Sequence, residues 1–212
     1  MNAKSFLIAF AAAACVAGCA SQPRPPAWQG DARSALDGFT DDWLRGDTAA
    51  ADAEFARARR AGASTGRFDV VAQAELVRCG AHAAALDYDC AGFAAVAGDA
   101  TPAQRAYAAY LDGRWTGLDA ALLPEQHRAV VASGTLAGVA DPLARLVAAG
   151  ALFKAGRIAP ADIAAAVDTA SQQGWRRPLL AWLGVQEARA RAAGDTDAAE
   201  RIRRRIALAG QG

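Results

Sequence analysis

The stretch TPAQRAYAAYLDG, residues 101–113, decides the fold class. Thr101 offers a side-chain oxygen suited to a helix N-cap. Pro102 follows at the first helical position, where the missing N–H is no loss. Alanine, leucine and arginine fill the interior, and Gly113 marks the stop. Asp141-Pro142 repeats the same start, for a helix that ends at Gly156. Elsewhere the alternation of β-branched residues that marks a strand is missing. The chain therefore reads as all-α.

Helices are further expected over 32–45, 48–61, 68–86, 90–97, 124–133, 160–173, 178–193 and 196–208, besides the two proline-started ones. The first places Leu36, Phe39 and Trp43 on one face. Residues 114–123 and 134–140 read as loops. Roughly nine short helices joined by short turns pack most simply as antiparallel hairpins.

Gly46-Asp47 is followed by Ala51, Phe55 and Ala58. This spacing resembles the second half of a tetratricopeptide repeat, where glycine makes the turn, alanine admits the partner helix and the aromatic packs between repeats. Gly194-Asp195 with Ala199 echoes it, with Arg203 in the aromatic place, and Gly156 with Ala161 and Ala165 echoes it again. The first helices of the pairs do not match the family. The expected architecture is antiparallel helix hairpins, either tetratricopeptide-like or an irregular α-solenoid.

The N-terminus carries a second resemblance. Lys4 precedes the uncharged run FLIAFAAAACV, too short to span a bilayer and suited to a signal. The run ends Val16-Ala17-Gly18-Cys19, which resembles the lipobox of bacterial lipoproteins. The resemblance implies cleavage before Cys19, a diacylglycerol on its thiol and acylation of the new amino terminus. Cys15 lacks the aliphatic residue upstream and belongs to the discarded signal. Residues 1–18 are thus a signal peptide, 19–29 a lipidated, proline-rich tether, and 30–212 the helical domain. In a Gram-negative envelope, the absence of aspartate after Cys19 favours the outer membrane, with the domain facing the periplasm.

Of 23 basic side chains Lys4 leaves with the signal, so 22 remain against 22 acidic ones. No net field recruits nucleic acid. Cys79 and Cys90 remain in the helical domain. The lipobox implies an oxidising compartment, where an even pair is a disulfide candidate closing a short loop, worth up to roughly 3 kcal/mol. Two separate buried thiols are the alternative. Neither His82 nor His127 completes a metal-ligand spacing, and no metal or cofactor is expected.

Gly62-Ala63-Ser64-Thr65-Gly66 matches G-x-S-x-G, but the nucleophile elbow needs a strand before it and this segment is helical. Gly62 fits a helix C-cap, and Ser64 or Thr65 the next N-cap. Asp41-Asp42 reads as a solvated face and Asp87-Tyr88-Asp89 as a turn lacking the further ligands of a calcium loop. Arg201, Arg203, Arg204 and Arg205 surround Ile202 and Ile206 on a basic final helix, read as solvated with an apolar stripe on its neighbour. No catalytic residue is assigned. Trp175, Arg176 and Arg177 sit together before Pro178, the composition of an interface hot spot.

The expectation is a non-enzymatic, membrane-anchored helical protein that serves as an assembly or regulatory factor for an unidentified envelope protein. An envelope enzyme such as a cell-wall hydrolase, or a small-ligand carrier, are the alternatives. Cys19→Ser should abolish palmitate incorporation and release the protein from membranes, whereas Cys15→Ser should leave both unchanged; metabolic labelling with membrane fractionation reads this out.

Overall fold

The computed structural model describes residues 26–211. The signal peptide, Cys15, Cys19 and the tether up to residue 25 lie outside the described residues. Among the described residues every regular element is helical. The ten α-helices are α1 (Ala27–Arg45), α2 (Thr48–Ala63), α3 (Phe68–Ala84), α4 (Ala91–Ala94), α5 (Pro102–Leu111), α6 (Glu125–Ser133), α7 (Pro142–Lys154), α8 (Pro160–Gln173), α9 (Arg176–Ala192) and α10 (Thr196–Ala209). Single 3-10 turns at Ala97–Asp99 and Ala120–Leu122 complete the list.

The local start signals act as their chemistry requires. Thr101 Oγ1 accepts the Gln104 N–H, and the Gln104 side chain returns a bond to the Thr101 N–H. Asp141 caps α7 through the Ala144 N–H. Two starts fall earlier than the sequence suggests. α1 begins at Ala27 instead of 32, directly after Pro26, so positions 27–29 of the expected tether are its first turn. α9 begins at Arg176 instead of 178, because a first-turn proline need not be the first residue: no N–H of that turn has an intrahelical partner. The helix expected over 90–97 shortens to one α turn, Ala91–Ala94, followed by the 3-10 turn.

The three glycine-led spacings all fall at helix turns. Gly46, Gly156 and Gly194 adopt φ of 97°, 67° and 73°. Between α1 and α2, Ala51 and Ala58 are fully buried and Phe55 packs on Phe39 at 5.3 Å. At the other end Ala199 is buried against α9, and Arg203 bonds Glu187 in place of an aromatic contact. The middle is not a linear stack. α3 packs against α7, and α9 returns to touch α1, so the helices close around one core.

That core is built on α3 and α7. Every residue of α7 from Leu146 to Leu152 is buried, which is what a helix apolar on all sides demands. The crossing is a backbone contact: a Cβ on Gly150 would overlap the Ala83 carbonyl. Trp182 of α9, fully buried, donates its Nε1–H to the Ala84 carbonyl at 3.0 Å. Tyr88 donates its hydroxyl to the Gly150 carbonyl at 2.9 Å. α3 ends with Leu86 in the left-handed region, φ 61°. The Leu86 and Asp87 N–H groups bond the Ala83 and His82 carbonyls, the Schellman pattern that usually takes glycine.

Gly150→Ala should destabilise by about 1–3 kcal/mol, since backbone on both sides must separate. Gly184→Ala, in the middle of α9 with open space around it, should be neutral or stabilising by up to about 1 kcal/mol. Chemical denaturation of the two variants checks the contrast.

Candidate functional site

A groove of about 820 Å³ runs between α1 and α3. α1 lines it from Trp28 to Leu44, α2 adds Ala58 and Gly62, and residues of α3 with the starts of α5, α7 and α9 complete it. Trp28 and Leu36 of α1, Val70 and Val77 of α3, Leu143 of α7 and Trp175 before α9 supply its apolar surface. Gln104, buried in the first turn of α5, fixes the floor by donating its Nε2–H to the Asp69 carbonyl at 2.8 Å.

The groove's charges are neutralised locally. Asp41 pairs with Arg45 at 3.1 Å, Asp69 with Arg67 at 2.6 Å, and Arg33 reaches Asp37 at 4.0 Å. The bonded Arg67 guanidinium holds the Asp69 carboxyl below the ordinary carboxylate range. Among the described lining residues Thr40 carries the one hydroxyl, and it is committed to the Leu36 carbonyl at 2.8 Å. Among the described residues no histidine, cysteine or serine lines the groove.

Of the three residues expected at a partner surface, only Trp175 lines this groove. Arg176 lies over the α1–α2 turn, close to Gly46. Arg177 is turned inward: Nε donates to the Trp43 carbonyl and Nη2 to Thr48 Oγ1, each at 2.7 Å. Its guanidinium stacks 3.8 Å above the Trp43 ring, and Trp43 in turn stacks on His82 at 3.7 Å with an interplanar angle of 11°. One column of side chains thus fastens α9 to α1 and α3.

His82 closes the column. Its Nδ1 meets Asp87 Oδ2 at 2.9 Å, while His82 Nε2 and Trp43 Nε1 are buried without partners. Burial pushes the His82 pKa down and outweighs the pull of Asp87. A neutral ring that donates from Nδ1 satisfies this geometry. His127, also buried, sits against Tyr110 and Tyr107, with its Nδ1 3.3 Å from the Tyr110 hydroxyl. Burial pushes its pKa down to about 4. Both histidines belong to the interior packing.

The remaining candidates take local duties. Ser64 sits past the end of α2 and donates to the Ala61 carbonyl; Gly62 lies inside α2 against Val70, and Gly66 takes the left-handed turn. The C-cap expected at Gly62 thus moves to Ser64, and Ser64 caps no following helix. Asp87 accepts the Asp89 N–H and Asp89 accepts the Ala91 N–H, so each builds the turn it stands in. Asp42 lies on α1, where its carbonyl takes the N–H groups of the Gly46 turn. Cys79 and Cys90 are joined, with Cα atoms 5.2 Å apart. Arg203 of α10 and Arg191 of α9 share Glu187 of α9, while Arg201, Arg204 and Arg205 are exposed with Leu208. Among the described residues no group of three or more metal-ligating side chains occurs, and no helix is long and apolar enough to cross a membrane.

Family models, curated proteins and solved structures all return no match to this chain.

Both histidines bind protons more weakly folded than unfolded. Stability is therefore full above the unfolded histidine pKa of about 6.5 and falls as pH drops through it. For His127 the loss continues down to about 4. Urea titrations from pH 7.5 to 4 should show a loss on the order of 3 kcal/mol for this group, and His127→Phe should flatten the profile.

Proposed function

We propose that this chain is a lipid-anchored protein of the bacterial cell envelope that docks a protein partner in the groove between α1 and α3. The observation that carries the reading is Trp175: a partly buried tryptophan that lines a largely apolar groove whose charges are already paired. Such a groove gains most from excluding water against an apolar partner surface. An enzyme reading has less support, because among the described residues the lining offers no nucleophile and both histidines are packed away.

The anchor rests on the lipobox ending at Cys19. Several acyl chains give a stable membrane attachment. Residues 20–26 can span at most about 25 Å, so Trp28 and the groove mouth stay close to the bilayer. The partner is accordingly a protein held at the membrane surface. The Cys79–Cys90 pairing belongs to the same compartment, where disulfides persist. The hairpins α1–α2 and α9–α10 support a partial likeness to tetratricopeptide pairs, with buried alanines at their contacts.

A photo-crosslinking amino acid at Gln73, exposed in the groove, should capture one discrete partner in cells. The same residue at Asp197 on the outer side of α10 should not. Trp175→Ala should abolish the Gln73 adduct. Equal capture from both positions, or an adduct indifferent to Trp175, rejects the groove as the docking site.

A further inference from the structure

The geometry points to a second site, independent of the groove: the cavity between α3, α4 and α5 binds one compact, uncharged, apolar molecule. The cavity measures about 380 Å³, within the range of small-ligand pockets and too small for a peptide segment with its side chains. Ala83, Phe93, Ala94, Ala97, Ala108 and Leu111 provide most of its wall. Its polar groups are spoken for. The Tyr88 hydroxyl is given to the Gly150 carbonyl, and Arg114 at the rim is bonded to Asp112 at 2.7 Å. A ligand finds no unpaired donor or charge there, which sets its class.

The cavity is also propped open. Apolar interiors ordinarily collapse to crystal-like density, and α4, a single turn, would be free to move inward. Three fixings prevent it. Cys90, just before α4, is bonded to Cys79 of α3. Asp89 holds the Ala91 N–H at 3.0 Å. Gly92 presses against the buried Glu75 carboxylate, which is itself held by Arg59 at 2.9 Å. Alanines then line the space that one larger side chain would fill. A wall fixed in place around an apolar recess is preorganised for an occupant, which would gain dispersion contacts with it.

The test uses the purified full chain in detergent-free, oxidising buffer and the neutral fluorophore N-phenyl-1-naphthylamine as probe. One saturable fluorescence transition is expected. Ala108→Phe and Ala94→Phe fill the cavity from opposite walls, and each should weaken binding by at least about tenfold. Circular dichroism confirms that the variants are folded, and Ala94, exposed at the rim, tolerates the change most easily. Cys79→Ser/Cys90→Ser should weaken binding as well, by freeing α4. No saturable binding, or full affinity in a folded filled variant, overturns the site. Full affinity in the double cysteine variant overturns the role given to the bridge.

Discussion

The contact between the backbones of α3 and α7 is the constraint on which the other helices depend. Gly150 leaves no space for a side chain opposite the Ala83 carbonyl, so the two helices meet backbone to backbone. Around that point the end of α3 becomes a junction. Ala84 receives Trp182 from α9, Gly150 receives Tyr88, and the Leu86 turn leads into Asp87 and onward to Cys90. A one-methylene change at the crossing would move all of these together, because a packed interior transmits displacement instead of absorbing it.

Arginine does two kinds of work in this molecule. On the surface it neutralises: Arg45, Arg67 and Arg114 each close a local pair of small energetic weight. Arg177 is different. Its stem and guanidinium are half-buried over Trp43, and its two bonds reach α1 and the start of α2. The planar fork lets one side chain stack and donate at once, which an ammonium could not do. The column Arg177–Trp43–His82 joins helices far apart in the chain, and it leaves two buried polar atoms unpaired in doing so.

The all-α class and most helix ends were legible because capping is local chemistry. Thr101-Pro102, Asp141-Pro142 and the Gly46, Gly156 and Gly194 turns each act within a few residues. The misjudged starts, Ala27 and Arg176, lie beside prolines that allow more than one helical register. The groove was less legible. Trp175 drew attention by composition, but Trp28 read as tether, and nothing nearby in sequence brings it to Leu143. The role of Arg177 could not be read at all, since its partner Trp43 is 134 positions away. Apolar periodicity says that a face is buried, not against what.

The first and last helices are secured very differently. α1 is held by α2, α3 and α9, whereas α10 rests chiefly on α9, with Leu208 left in solvent and arginines along its outer side. The free energy of opening is therefore graded along the molecule. The last helix is a unit that can detach and rejoin while the α3–α7 junction stays intact, so its amides exchange with solvent long before those of α7. A protein built this way can lose order at its C-terminal edge without losing either the groove or the cavity.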